Sequence, residues 1–450
     1  MILCGGGGKR LWPFSRDEVP KPFISIGGKT LFQQTLQRFN NPLIKNIVIV
    51  ASEFNEKLIL DHIDLNKTTI HLLLEPHKRN TGPAIASAVK YIKNEISSNV
   101  ILNICPSDHF ISNKDYIKIL KSLIKIKPDK ITCYGIKPTY ASSQYGYITE
   151  NKESLKFTEK PAKRKANLLF KKGNSFWNSG IFSSYIDLLD DAFNKHLADY
   201  DNIQFKISSN CKDIISVNLK ENVYKKLPNI SFDYLIMEKS KNIDLVKTKI
   251  SWSDIGTWGG FDTVLHEHQK ENGNYIYGNG LLSKSVSTSI ISNSDKTIVA
   301  HGLNNISIID TNDSTLIINK ELSNDVSDIY NHLKVINPRL VTESQSVQRL
   351  WGSYQILIST ELFKVKKIIL KPHSSISNQK HLHRYEHWIV VDGKIDVITN
   401  NKKITLAKND SIDIKINTKH KMINNSAHNA TIIEVQTGDY LGEDDIIRYD

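Results

Sequence analysis

Leu3-Cys4-Gly5-Gly6-Gly7-Gly8-Lys9-Arg10-Leu11-Trp12-Pro13 sets a run of four glycines directly after a short apolar stretch and directly before two cations. Glycines let backbone N–H groups close on phosphate oxygens, and Lys9, Arg10 and Lys21 bring the charge needed to neutralise a triphosphate. Gly5, Gly6 and Gly8 are the candidate cradle. A merely flexible turn is the plainer alternative, which the adjacent charges weaken. The run fits neither GxxxxGK[ST] nor a clean dinucleotide fingerprint, so a P-loop kinase is disfavoured.

Downstream of this turn, short β-branched runs alternate with longer amphipathic stretches, the pattern of βαβ units on a mainly parallel sheet. Ile47-Val48-Ile49-Val50, Ile70 to Leu74 and Val100 to Ile104 read as strands, and Thr81 to Ile96 reads as a helix. Sheets of this kind hold ligands at the carboxyl ends of their strands, so chemistry is sought in the loops that follow these runs. From about 275 to 340 the texture changes to short Ile, Val, Ser and Thr runs broken by Asn, Asp and Gly, which suggests a small β-rich unit coiled as a β-helix, with a helix over Asp325 to Val335. After Val341 strand follows strand to the end, the pattern of a β-sandwich or barrel. The expected organisation is an α/β domain over 1–270, a β-rich connection over 271–340 and a β-barrel over 341–450.

Composition narrows the class. At 450 residues and 40% hydrophobic content the chain is long enough for two or three packed domains. No stretch approaches 18 uninterrupted apolar residues, and Met1-Ile2-Leu3 runs straight into glycine without the apolar segment of a signal peptide. A cytoplasmic enzyme without membrane partners is therefore expected. Cys4, Cys105, Cys133 and Cys211 are too scattered for a disulfide framework or a thiolate zinc site, and reduced, buried thiols are expected. The net charge of +12 comes from lysines spread along the chain rather than from an arginine-rich block, so nucleic acid is not expected as a partner. Nine of the 59 basic residues are arginine. Arg10, Arg16, Arg79 and Arg384 all fall in chemically dense segments, where a planar fork has a use that lysine does not match.

The opening segment, completed by Arg16, Pro20 and Lys21, resembles the LxGGxGxRLWPxSRxxxPK signature of the sugar-phosphate nucleotidyltransferases, specifically the mannose-1-phosphate guanylyltransferases. Glu75-Pro76, Arg79-Asn80-Thr81, Pro106-Ser107-Asp108-His109, Gly146-Tyr147-Ile148, Phe157 to Pro161, Trp177-Asn178-Ser179-Gly180, Ser231 to Tyr234, Met237 to Lys239 and Trp252 to Gly256 keep the family order across some 250 residues. The resemblance implies that GTP and mannose 1-phosphate are the substrates. In such a transfer a sugar-phosphate oxygen attacks the α-phosphorus in line, which leaves the protein positioning and charge neutralisation.

Asp108 follows the strand Val100 to Ile104, where a carboxylate suits Mg²⁺, with Asp254 as partner. Helix capping is the plainer reading of Asp108. The resemblance further implies that Lys21 contacts the reacting phosphate and Lys160 the sugar phosphate. It implies that Glu159, Asn178 and Gly146 meet mannose hydroxyls, that Asp233 belongs to the substrate site, and that Glu75, Arg79 and Thr81 surround the nucleoside. Turn hydrogen bonding is the bland alternative for Asn178 and Glu159.

A second dense segment is Gln379-Lys380-His381-Leu382-His383-Arg384-Tyr385-Glu386-His387-Trp388, with His420 further on. Strand alternation sends Gln379, His381 and His383 to one face. Imidazole and oxygen donors suit a borderline divalent cation such as Zn²⁺ or Co²⁺. The segment resembles the cupin metal motif, which implies Gln379, His381, Glu386 and His420 as ligands, with His383 and His387 behind them or facing substrate. With Arg349 to Tyr354, Ile433 to Gly438 and Glu443 to Ile446 it is similar to type II mannose-6-phosphate isomerases. In that family one chain carries both activities. The resemblance implies interconversion of mannose 6-phosphate and fructose 6-phosphate, with Arg384 as the catalytic arginine and the base open among His383, Glu386 and Lys380. Lys415 and Asn417 stand where that family usually has proline and glycine. The alternative reading is a guanylyltransferase whose cupin only binds sugar phosphate or dimerises the chain. A homodimer is the expected assembly.

Overall fold

The computed structural model describes all residues except 64–67, 152–153, 212, 266–267, 401, 443–444 and 450. It divides into two compact units, Met1–Ser292 with Thr297–Asp310 and Thr315–Ile336, and Asn337–Asp450 with Asn293–Lys296 and Thr311–Ser314.

The first unit is built on an 11-stranded mixed sheet. Its centre is parallel: Ile2–Cys4 lies between Ile101–Pro106 and Asn46–Ser52, followed outward by Thr69–Glu75 and Ile214–Leu219. Antiparallel strands flank this centre, with Ser175–Tyr185 joining Ile101–Pro106 to Ile131–Ile136 and Tyr147–Glu150. The central strands read as unbroken apolar runs because both faces are covered. Val48 and Val50 enter one core with Ala84, Ile85, Ala88 and Val89 of the helix Thr81–Tyr91. Ile47, Ile49 and Ala51 enter the other with Phe32, Leu36 and Phe39 of the helix Leu31–Phe39. The stretch expected as one helix to Ile96 is α-helical to Tyr91 and finishes as a π-turn over Ile92–Ile96.

The connecting stretch forms a parallel coil. Tyr275–Tyr277, Ser289–Ser292 and Ile306–Asp310 stack in register, as do Gly280–Ser283 and Ile298–His301. Ile290, Ala300 and Ile308 fill its interior. Thr315–Asn319 closes it antiparallel, and the helix Val326–Ile336 follows.

The second unit carries two six-stranded antiparallel groupings, as expected of a cupin barrel. In Phe363–Leu370, Arg384–Asp392 and Ala430–Gly438 alternate residues are buried, so Leu370, Trp388, Val390 and Ile432 build an apolar core while Arg384, Glu386, Glu434 and Gln436 point inward beside it.

Among the described residues no helix is long and apolar enough to cross a membrane. Cys4, Cys105 and Cys133 are free and buried; the side chain of Cys211 lies outside the described set.

Candidate functional site

Parallel pairing aligns the ends of neighbouring strands. Leu3 is opposite Pro106, so the glycine run and the Ser107-Asp108 turn leave the sheet side by side. Trp252–Ser253 then pairs antiparallel with Phe110–Ile111, Ser253 against Phe110, which returns Asp254 towards Asp108 across 146 residues of sequence. Lys21 joins them. Its Nζ is 2.8 Å from Asp108 Oδ2 and donates to the backbone oxygen of Asp254. Burial opposes ionisation of Asp108, but the charge of Lys21, helped by His109, holds its carboxyl below the ordinary value. Burial lowers His109, whose Nδ1 donates to Ser179 O at 3.1 Å.

These groups open into a cavity of about 1140 Å³ lined by Gly5, Gly6, Gly7, Lys9, Asp108 and Asp254. A Cβ added at Gly5, Gly6 or Gly7 meets no atom within 4 Å, so that wall is open to a ligand. Gly8 has a different reason to be glycine: its φ is +68°, and a Cβ there would lie 2.5 Å from Lys21 Cβ. Gly8 seats Lys21 rather than facing the cavity. Arg10 donates to Gln144 Oε1 at 3.1 Å, and Gln144, not Arg10, lines the wall.

The cavity is also lined by Glu75, Arg79 and Thr81. Glu75 accepts from the Tyr224 hydroxyl, and burial raises its carboxyl to about 7 although that bond pulls the other way. Arg79 donates to Lys225 O, and Thr81 Oγ1 accepts from Phe232 N at 2.9 Å. Gly146, Glu159, Lys160, Asn178 and Asp233 line it too. Asn178 donates to Asp233 Oδ1 at 3.1 Å, and Lys160 Nζ is 3.6 Å from Glu159 Oε1. Burial and then the Glu159 charge raise Asp233 to about 7, and burial also raises Glu159.

Two contacts escape sequence reasoning. Tyr145 donates to Asp254 Oδ1 at 3.1 Å, and Glu238 accepts from Glu159 N at 2.9 Å. Glu238 sits in a family motif and was reachable from it. Tyr145 has no signal beyond standing next to Gly146.

In the barrel, His381, Glu386 and His420 are buried, with ligand atoms within 4.8 Å of one another. His420 Nδ1 donates to Thr418 O at 2.9 Å, which fixes the tautomer and turns the Nε2 lone pair towards Glu386 Oε2, 3.6 Å away. His381 Nε2 is 3.1 Å from Glu386 Oε1. Gln379 pairs with His420 across the strands, its Nε2 at 3.5 Å from His420 Nε2. Two imidazoles and a carboxylate with this spacing fit a divalent cation.

Burial opposes ionisation of Glu386, yet His381, Arg384 and His420 hold its carboxyl well below the usual range. Arg384 Nε donates to Glu386 Oε1 at 3.1 Å and Nη1 to Gly442 O at 3.2 Å. Behind them Trp388 Nε1 donates to Glu386 Oε2 and Glu434 Oε1 at 3.2 and 3.1 Å, and Gln436 Nε2 donates to Glu434 Oε2 at 2.9 Å. Glu434 and Gln436 stand two apart on the buried face of one strand, a spacing already visible in the sequence.

The expected alternation fails at one place. The strand ends at His381, and the chain bends through Leu382-His383 before Arg384–Asp392 begins. Arg384 is therefore buried and His383 exposed, because Asp445 takes both backbone N–H groups of the bend at 3.0 and 3.2 Å. His387 pairs with Asp413 at 2.6 Å, away from the three ligands. Of the Glu443 to Ile446 motif, 443 and 444 lie outside the described residues. Asn417 adopts φ +63°, a left-handed conformation that asparagine tolerates where glycine is usual.

Residues 1–271 match the nucleotidyl transferase family and residues 337–450 the mannose-6-phosphate isomerase C-terminal family. The chain is 33% identical to the alginate biosynthesis protein AlgA of Pseudomonas putida, over 100% of this chain and 95% of that one. It is 31% identical to a mannose-1-phosphate guanylyltransferase of Sinorhizobium fredii, over 99% of this chain and 90% of that one. A crystal structure of a mannose-1-phosphate geranyltransferase from Thermus thermophilus is similar at TM-score 0.62 and 25% identity, covering 74% of this chain and 98% of that one. With relatives matched over 90% or more of their length and a glycine-lined cavity at the ends of the parallel strands, the chain belongs to the nucleotidyl transferase family and carries a mannose-6-phosphate isomerase C-terminal domain.

Proposed function

We propose that this chain transfers GMP from GTP to mannose 1-phosphate, releasing pyrophosphate, and interconverts mannose 6-phosphate and fructose 6-phosphate in its barrel. The observation that carries the first activity is the contact of Lys21 with both Asp108 and Asp254 at the mouth of the glycine turn. In this reading a phosphate oxygen of mannose 1-phosphate forms the new bond to the α-phosphorus as the bond to the β-phosphate breaks. Gly5, Gly6 and Gly7 present backbone N–H groups to the triphosphate, Lys9 and Lys21 neutralise it, and Arg10 acts through Gln144. Mg²⁺ held by Asp108 and Asp254 supplies further charge stabilisation. Glu75, Arg79 and Thr81 surround the nucleoside. Gly146, Glu159, Asn178 and Asp233 hold the sugar, with Lys160 on its phosphate. Turnover of GTP and mannose 1-phosphate, with other nucleoside triphosphates and sugar 1-phosphates as controls, tests this; a preference for another pair overturns it.

The isomerase reading rests on the His381, Glu386 and His420 cluster with Arg384 beside it. A divalent cation such as Zn²⁺ or Co²⁺ held there, with Gln379 as a further ligand, supplies stabilisation of an enediol-like charge. Arg384 binds and orients the sugar oxygens, and the buried surroundings exclude water. If neither Arg384→Ala nor His381→Ala changed fructose 6-phosphate formation, the barrel would be a binding or dimerisation module. The same proposal assigns residues 1–270 to transfer, 271–340 to connection and 341–450 to isomerisation, in a cytoplasmic homodimer whose mass light scattering would check.

A further inference from the structure

The helix Val326–Ile336 lies beyond the segment that matches the nucleotidyl transferase family, yet it is packed on the glycine turn. The Tyr330 hydroxyl donates to Asp17 Oδ1 at 2.5 Å, and Lys334 Nζ is 3.5 Å from Asp17 Oδ2. Lys9 Nζ donates to Asn331 Oδ1 at 3.4 Å and sits 5.2 Å from the centre of the Tyr330 ring. Residues 330 and 334 are one helical turn apart and share a face, so one face of this helix clasps the chain just after the glycines and again at Asp17. Lys9, Asp17 and Lys334 line the same cavity as Gly5 to Gly7.

The charges there are unevenly committed. Lys21 is fixed at its place by Asp108 and the Asp254 backbone, whereas the Lys334 and Asp17 side chains are 53% and 46% exposed. An exposed, long ion pair is worth little, so exchanging Asp17 for a phosphate oxygen costs Lys334 almost nothing. A triphosphate leaves charge on its β- and γ-phosphates that one divalent cation does not cancel, and cations around the leaving group are what phosphoryl transfer requires.

We propose that Lys334 binds the β- and γ-phosphates of GTP, and hence the departing pyrophosphate, and that the helix carrying it is a working part of the transferase. This rests on the transferase reading above. The test compares Lys334→Met, Lys334→Arg and the unaltered full chain in GTP turnover, in pyrophosphate inhibition and in calorimetric titration with GTP and Mg²⁺. One lost charge-assisted contact predicts that Lys334→Met raises the KM for GTP and the Ki for pyrophosphate about tenfold. The KM for mannose 1-phosphate and the thermal midpoint stay put, and Lys334→Arg restores most of the loss.

An unchanged GTP KM in Lys334→Met overturns the inference. So does an equal rise for both substrates with a lowered midpoint, which is the signature of a structural role. If the unaltered chain turned over no GTP with mannose 1-phosphate, the transferase reading would fall by itself. The calorimetric comparison would still decide this inference, because equal GTP affinity of the two chains overturns it.

Discussion

Gly146→Ala isolates the residues proposed to hold the sugar. A Cβ at Gly146 would lie 2.5 Å from Glu159 Oε2, 3.3 Å from Asn178 Cβ and 3.4 Å from Phe157 Cζ. The last two are tight but tolerable; the first must give way, so the carboxylate retreats by about 1 Å to reach ordinary contact distance. Glu159 is the flexible end of a side chain, so the fold loses little. In the proposed function, its interaction with a mannose hydroxyl is what the substitution removes. A hydrogen bond to a charged group is worth about 1.5–3 kcal/mol, which corresponds to a fall in kcat/KM for mannose 1-phosphate of roughly 10- to 100-fold.

Pyrophosphate release at saturating GTP with varied mannose 1-phosphate measures that fall, and the KM for GTP should stay within about twofold. The double variant Gly146→Ala/Glu159→Ala supplies the control: once Glu159 is gone, the added methyl should cost almost nothing more. An unchanged kcat/KM in Gly146→Ala refutes the reasoning, as does full additivity in the double variant.

Asp108→Asn and Asp254→Asn should each lower guanylyl transfer by about 100-fold or more, because both carboxylates are assigned to one ion at the reacting phosphate; full turnover by either removes the shared ion. Glu386→Gln should abolish metal retention and fructose 6-phosphate formation while leaving GTP turnover intact, as read by elemental analysis and the two assays on one preparation. Arg384→Lys keeps the charge but loses the fork that reaches Glu386 and Gly442, and isomerase activity should drop about 10- to 100-fold with metal content unchanged. Glu75 gives a pH signature. Its carboxyl is raised from the ordinary 4.5 to about 7, so its contribution to stability is fully present below pH 4.5 and is lost as pH rises through about 7. Glu75→Gln should remove that slope, gaining up to about 3 kcal/mol on the unaltered chain between pH 5 and pH 8 in urea unfolding; parallel curves would refute it.

Much of this architecture is written in local periodicity. Ile47 to Val50 and Ile70 to Leu74 are unbroken apolar runs, and only a strand covered on both faces needs that composition, so the parallel centre follows from the residues themselves. The parallel coil follows from the short β-branched runs after 275. The glycine run and Asp108 stand out by their own chemistry, because close backbone approach to phosphate and a carboxylate at a strand end restrict which residues serve; Gly146, Glu159 and Asn178 were singled out only by resemblance to a known family, and the structure brings them to one cavity. Gln379, His381, Glu386 and His420 were singled out by resemblance to the cupin metal motif, and the structure clusters His381, Glu386 and His420 with Gln379 beside His420.

What the sequence left open depends on contacts between distant segments. Pairing of Ser253 with Phe110 is what returns Asp254 to Asp108, and no spacing between 108 and 254 encodes it. Whether a glycine faces ligand or seats a neighbour is likewise tertiary: Gly5 to Gly7 open on the cavity, while Gly8 accommodates Lys21. Strand alternation placed His383 with His381, but Asp445 draws the intervening backbone into a bend and exchanges His383 for Arg384. Lys334 reaches the cavity only because Tyr330 and Asn331 anchor its helix beside the glycine turn. Periodicity reports the environment of each element one residue at a time; which elements meet is fixed by burial and hydrogen bonding summed over the whole fold, and those terms are not local to any stretch of chain.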